Sequence, residues 1–352
     1  MPRSFFPCLL FALCVSSAFA PAVLAEPFAL HVPAGLAARN VRVPADNELT
    51  AAKVELGRQL FFDARLSRDD TVSCATCHDP KFGWSNGQRF ATGVDGQMGG
   101  RNAPTILNAG YLNAGSPRFA KVPQFWDGRA EDLEGQALGP IQNPIEMDLK
   151  LDALVAKLSK IDGYKKQFQA AFGGDVSADG IAKAIASFER TILSGDAPID
   201  RFLAGDAAAL SESAQRGWQV FSGGAKGNCT ACHKVPNFAD GGFHNLGVGA
   251  KAESPDVGRF AVTNLEGDKG RFKTPTLRDI ERTAPYMHDG SQATLEEVVK
   301  FYVDGGEKNP HLDEEMKPLK LTEQERQDLL TFLKEGLSSA NYPMVEAPTL
   351  PE

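Results

Sequence analysis

Apolar residues recur along this chain at helical rather than alternating spacing, and similar runs appear in both halves. One run opens at Leu49-Thr50 and reaches Glu55-Leu56-Gly57-Arg58-Gln59-Leu60-Phe61; another opens at Leu210-Ser211 and reaches Arg216-Gly217-Trp218-Gln219-Val220-Phe221. Each places a glycine four residues ahead of a phenylalanine, where a second helix can approach closely. Between them, Asp148 to Phe172 (Leu151, Leu154, Val155, Leu158) and Ser177 to Leu193 (Ile181, Ile185, Phe188, Ile192) predict core helices. Thr294-Leu295-Glu296-Glu297 and Thr322-Glu323-Gln324-Glu325 both fit a capping box. The last helix carries Leu329, Leu330, Phe332 and Leu333 on its apolar side and is predicted to end at Gly336. No strand-rich stretch is evident, and three prolines between Asn341 and Glu352 predict an extended or disordered tail. The pattern is that of a mainly α protein in two similar units, residues 26–205 and 206–340, followed by the tail 341–352.

Residues 1–25 break this pattern. Arg3, an apolar stretch from Phe5 to Ala20 and the small-residue ending Val23-Leu24-Ala25 predict a signal peptide cleaved before Glu26. Ser16, Ser17 and Pro21 interrupt the stretch, which is too short to span a bilayer. An exported, periplasmic protein without a membrane span is expected. Loss of Arg3 leaves the mature chain one charge more negative than the −8 of the whole sequence. Acidity without a lysine or arginine cluster excludes nucleic acid and anionic membrane surfaces as partners, while leaving a positively charged protein open. Gly 34 and Pro 22 favour helices joined by long ordered loops.

The chemistry enters with cysteine. Of six, Cys8 and Cys14 fall in the leader; the others form Cys74-Ala75-Thr76-Cys77-His78 and Cys229-Thr230-Ala231-Cys232-His233. A lone CxxC can be a redox dithiol or half of a zinc site, and four cysteines can make two disulfides. None of these explains a histidine directly after each pair, which covalent attachment of a c-type haem does: two thioethers hold the ring and the imidazole ligates the iron. Two c-type haems are expected, on Cys74, Cys77 and His78 and on Cys229, Cys232 and His233.

These motifs, together with Gly100-Arg101-Asn102-Ala103-Pro104-Thr105, Phe125-Trp126-Asp127-Gly128-Arg129 and Thr283-Ala284-Pro285-Tyr286-Met287-His288-Asp289-Gly290, resemble the bacterial dihaem cytochrome c peroxidases and the related MauG-type enzymes over nearly all of the mature chain. The resemblance implies two cytochrome c-like haem domains, with ligands that decide which iron meets hydrogen peroxide. Peroxidases of the family place a displaceable histidine shortly before the Asn-x-Pro-Thr motif; here Thr92 to Gly100 contains none, Met98 being the nearest candidate. Without it the first iron has only His78 and stands open to peroxide. The peroxidases' second-haem methionine is matched, seventeen residues beyond Pro285, by Tyr302. By pattern alone Tyr302 is a core aromatic between Phe301 and Val303; MauG-type enzymes have a tyrosine ligand there. A phenolate ligand lowers the reduction potential and favours high oxidation states, the reverse of methionine. Met287 and Met316 compete for the position, with His288 and His311 as remoter choices.

The same resemblance assigns Glu146 as the distal acid that relays peroxide's proton, Gln136 as a distal-pocket amide, and Trp126 as the stepping stone between haems. Asn102, Thr283 and Pro285 match a calcium site of one side-chain and two backbone oxygens. His244 and His288 read as hydrogen-bonding groups near a haem edge, His31 as a surface residue, and Trp84 and Trp218 as packing. The function implied is peroxide-driven formation of a high-valent two-haem state that oxidises a tryptophan or tyrosine of a docked partner protein at long range. The alternatives are a conventional cytochrome c peroxidase fed by a small cytochrome or cupredoxin, and a dihaem electron carrier without catalysis.

Overall fold

Thr50 closes an extended segment and its hydroxyl accepts the Lys53 N–H, which starts the first helix of the computed structural model; the model describes residues 28–113 and 121–352, with Met1 besides. The leader expected over residues 1–25 therefore lies outside the described residues but for Met1. Described helices are α1 (Ala51–Phe62), α2 (Cys74–Cys77), α3 (Leu133–Gln142), α4 (Leu151–Leu158), α5 (Asp162–Phe172), α6 (Ala178–Glu189), α7 (Pro198–Leu203), α8 (Glu212–Ser222), α9 (Phe260–Thr263), α10 (Leu295–Val303) and α11 (Glu323–Thr331). Among the described residues the named strands are β1 (Phe243–His244) and β2 (Phe272–Lys273), antiparallel with His244 opposite Phe272. The mainly helical class read from the sequence is the one observed.

Side-chain caps explain most helix starts. Ser177, Ser211, Thr294 and Thr322 accept the N–H groups of Gly180, Ala214, Glu297 and Glu325. The Thr322 box closes, since Glu325 Oε2 accepts the Thr322 N–H at 2.8 Å. At Thr294 it does not: Glu297 Oε2 turns to the Ala293 N–H at 2.6 Å. The stretch predicted as one periodic run over 148–172 is two helices, α4 and α5. Gly163 disfavours a helix interior, Asp162 favours a helix start, and the Gly163 N–H is taken by the Glu352 carbonyl at 3.0 Å. The last helix widens after Thr331 into a π-helical turn, Phe332–Gly336, and ends at the predicted glycine.

The core repeats. Gly57 of α1 lies against the Ala184 carbonyl of α6, and Gly217 of α8 lies against the Asp328 carbonyl of α11; a Cβ would sit 1.9 and 2.0 Å from those oxygens. One turn on, Phe61 meets Phe188 at 5.3 Å and Trp84 at 5.9 Å, while Phe221 meets Phe332 at 5.2 Å and Phe238 at 6.0 Å. Each glycine thus lets two helices cross closely enough to stack aromatic rings, within two separate apolar clusters. Gly57→Ala should force the helices apart and cost about 1–3 kcal/mol, read as a lowered Tm. A Tm unchanged by this substitution would contradict the close crossing.

The tail, read from the sequence as extended or disordered, is docked on the first unit. Tyr342 and Val345 pack against the first cluster, and the Pro351 carbonyl accepts both Arg65 Nη atoms at 3.1 Å.

Candidate functional site

Both Cys-x-x-Cys-His motifs fold as single turns, each reached by a loop from the helix before it. At the first, the Ser73 N–H donates to Thr76 Oγ1 at 3.0 Å and α2 carries Cys74 and Cys77. His78 Nδ1 lies 3.2 Å from the Trp84 carbonyl, and His233 Nδ1 2.8 Å from the Phe238 carbonyl. With Nδ1 so engaged, Nε2 of each imidazole is left to bind a metal, and the ring's orientation is fixed. Burial holds both imidazoles below their ordinary pKa, hence neutral and able to ligate. The four cysteines are unpaired. Burial pushes three thiols up, Cys77 to about 11 and Cys229 to about 12 in number, with Cys74 moving the same way. Reactive dithiols are depressed instead, so these lack the activation of a redox pair.

A cavity of about 210 Å³ opens at the second motif. Cys229, Cys232, His233 and Tyr302 line it together with Trp126, Asn102 and His244. Its walls are mostly apolar, from Phe221, Leu295, Val299, Leu329 and Leu333, as a buried porphyrin face requires. Tyr302 projects from α10, and no hydrogen-bond partner meets its hydroxyl among the described residues. Burial, with Cys229 and Cys232 nearby, pushes the phenol's pKa up, so it is neutral until a metal takes its proton. Met287 and Met316 border the same cavity. His311 does not line it and pairs with Glu266 at 3.3 Å. Met98 is 59% exposed on a bridge to Thr92, pointing away from the core.

Glu146 is half-buried; Oε1 accepts Asn143 Nδ2 at 2.7 Å, and its charge is felt at Cys77. Burial pushes its pKa up, against the Asn143 hydrogen bond and the Arg129 charge. Gln136, on α3, is half-buried. Trp126 Nε1 donates to the Asn102 carbonyl at 2.8 Å, and the Asn102 N–H donates to the His288 carbonyl at 2.7 Å. The backbone of Asn102 therefore joins two turns of one kind. Phe125 and Gly128 have φ of +66° and +69°, Met287 and Gly290 of +73° and +60°, and each turn is closed by a bridge, Gln124 to Ala130 and Tyr286 to Gln292. Trp126 and His288 occupy equivalent places. The shared Asp-Gly, two and three residues after Phe125 and Met287, was the sequence signal for this.

Asn102 Nδ2 is spent on the Gln88 carbonyl at 2.8 Å, and Oδ1 accepts no hydrogen bond among the described residues. The carbonyls of Thr283 and Pro285 accept no hydrogen bond among the described residues. The three residues border the cavity, and one side-chain and two backbone oxygens are donors of the hard kind that calcium prefers.

Three residues gain a place that sequence reasoning did not assign. His244 was read as hydrogen-bonding, but not with its two carboxylates: Nδ1 meets Asp313 at 2.6 Å and Nε2 meets Asp240 at 3.0 Å. Burial opposes its charge, yet the carboxylates outweigh that and raise its pKa. His288 is buried and stacked on Phe272 at 3.5 Å, and burial lowers it to about 4, so it is neutral. Glu189, buried near Cys74, is pushed up to about 8 by burial, and its charge in turn helps to raise the Cys74 thiol. His31 is exposed.

Residues 51–208 match the family model for di-haem cytochrome c peroxidase. The chain is 42% identical to methylamine utilization protein MauG of Methylorubrum extorquens, over 88% of this chain and 84% of that protein. It is 38% identical to cytochrome-c peroxidase IdrP1 of Denitromonas iodatirespirans, over 88% of each. A crystal structure of a MauG-like protein associated with microbial copper homeostasis superposes with a TM-score of 0.76 at 32% identity, covering 93% of this chain and 99% of that one. No described helix is long and apolar enough to cross a membrane. With two Cys-x-x-Cys-His motifs built to hold haem and relatives of this kind along most of its length, the chain belongs to the dihaem cytochrome c peroxidase/MauG family of oxidoreductases.

Proposed function

We propose that this is a MauG-like enzyme of the periplasm, which uses hydrogen peroxide to oxidise a tryptophan or tyrosine of a docked partner protein. The observation that carries the reading is Tyr302: a phenol without a hydrogen-bond partner among the described residues, on the wall of the cavity that holds His233. Bound at Cys74, Cys77 and His78 and at Cys229, Cys232 and His233, two haems supply a peroxide-accepting iron and a store for oxidising equivalents. The Trp84 and Phe238 carbonyls hold His78 and His233 through Nδ1, so that Nε2 of each would take an iron. Glu146 would accept the proton of peroxide and return it to the departing oxygen, with Gln136 as a hydrogen-bonding amide of the distal pocket. Trp126 provides an oxidisable indole between the two sites, oriented through Nε1 by Asn102. Asn102, Thr283 and Pro285 hold calcium. The exposure of Met98 and the lack of histidine over 92–100 favour a first iron open to peroxide.

Low-temperature EPR of the oxidised protein before and after stoichiometric peroxide tests this. One high-spin and one low-spin ferric signal lost together, with a long-lived oxidised species, is the expected result. Reaction only after half-reduction would restore the conventional peroxidase, and two low-spin signals indifferent to peroxide would leave an electron carrier.

A further inference from the structure

Trp84 is fully buried and lies between Phe61 and Phe188, yet packing does not account for its backbone. Its φ is +60°, a left-handed conformation that a bulky residue rarely adopts and that its surroundings must enforce. The conformation has one evident product: it aims the Trp84 carbonyl at His78 Nδ1, 3.2 Å away. Part of the enforcement is local, since the Trp84 N–H donates to the Asp79 carbonyl at 3.0 Å and the Ile106 N–H donates to the Trp84 carbonyl at 3.3 Å. The rest comes from far along the chain. Trp84 Nε1 donates to the Pro343 carbonyl at 3.0 Å, and the neighbouring Tyr342 hydroxyl donates to the Pro80 carbonyl at 2.6 Å. The Arg282 guanidinium lies 4.5 Å from the Tyr342 ring. The root of the segment is fixed too, with the Ser339 N–H on Asp279 Oδ1 at 2.9 Å and Ser339 Oγ on the Gly195 carbonyl at 2.6 Å.

The second motif shows what is distinctive. Phe238, with φ of +51°, turns its carbonyl to His233 in the same way. A phenyl ring has no N–H, and that turn is held by Arg278, which donates to the Pro236 carbonyl at 2.6 Å and pairs with Asp200 at 2.7 Å. Among the described residues, only the first motif's histidine is tied to the tail.

We infer that residues 342 and 343 of the tail, acting through Trp84, are a positioning device for the first haem's histidine. Pro343 fixes the indole, the indole fixes the Trp84 carbonyl, and the carbonyl fixes the strength and direction of the His78 Nδ1–H bond. A well-aligned acceptor there makes the imidazole a more basic ligand and favours the oxidised iron. The inference needs only a haem on His78 and holds for either peroxidase reading.

The test uses the full chain with both haems attached. Trp84→Phe keeps a ring in the core and removes the N–H; Tyr342→Phe keeps the tail's ring and removes its hydrogen bond to Pro80. Both should lower the iron–histidine stretching frequency of the reduced first haem in resonance Raman spectra. Both should also shift its oxidised-to-reduced ratio at fixed ambient potential toward reduced, by up to about tenfold, or 59 mV for one electron. The second haem should not move, and Trp218→Phe, which removes an indole from the other core, should leave the first haem unaltered. A lower Tm in Trp84→Phe with an unmoved band and potential would reduce Trp84 to packing and overturn the inference. So would a shift in Trp84→Phe without one in Tyr342→Phe, which would take the tail out of the device. Should Trp84→Phe not fold, Tyr342→Phe carries the test alone.

Discussion

Glu146→Gln should slow the reaction with peroxide by about 10²–10⁴-fold while leaving both haems attached and the fold intact. Gln is isosteric, and its Oε1 can still accept Asn143 Nδ2, so the loop 143–147 keeps its internal hydrogen bond. What is lost is a group that can take a proton. The pH dependence gives the sharper reading. Burial raises the Glu146 pKa above the usual carboxylate value, though the Asn143 hydrogen bond and Arg129 pull the other way. The working form is the ionised carboxylate, so in the parent protein the rate constant should fall as pH drops through that raised pKa. In the glutamine variant the residual rate should lose this limb. Stopped-flow mixing with peroxide over a pH series measures both; a variant that keeps the parent rate and its acid limb would remove Glu146 from the reaction.

Why that residue could not be chosen from periodicity or composition is a matter of distance along the chain. Glu146 acquires its character from Asn143, three residues away, but its relevance from Cys77 and Arg129, brought near by folding. The helices were legible because their information is local: Thr50, Ser211 and Thr322 cap the next turn, and Gly57 and Gly217 declare a close crossing four residues before an aromatic. The haem-attaching residues were legible for the same reason. Where local signals competed, reading failed. Thr294 has the spacing of a capping box, yet Glu297 finds Ala293 instead; Asp148 to Phe172 keeps its periodicity across a break set by the tail at Gly163. Trp84 read as packing because neither its φ nor the Pro343 carbonyl, 259 residues on, leaves a mark in its neighbourhood.

Tyr302→Phe should convert the second haem from low-spin to high-spin in the ferric state and let cyanide bind where the parent excludes it. The substitution is unusually clean. Because the Tyr302 hydroxyl has no hydrogen-bond partner among the described residues, removing it strands no buried donor or acceptor, and stability measured by thermal unfolding should hold. The ring stays, so the α10 surface facing the cavity keeps its shape. Burial raises the phenol's pKa, and only an iron at bonding distance would make it ionise near neutral pH; loss of the anionic oxygen then removes the term favouring the oxidised metal. Potentiometric titration should find the second haem more easily reduced by at least about tenfold in its oxidised-to-reduced ratio, 59 mV per tenfold. Tyr302→Met should go further, supplying a neutral thioether and giving a second haem that accepts electrons from an ordinary donor. If Tyr302 is a packing residue instead, spectra and potentials of Tyr302→Phe will match the parent, and the ligand must be sought at Met316 or Met287, whose replacement by Leu would then produce the high-spin second haem.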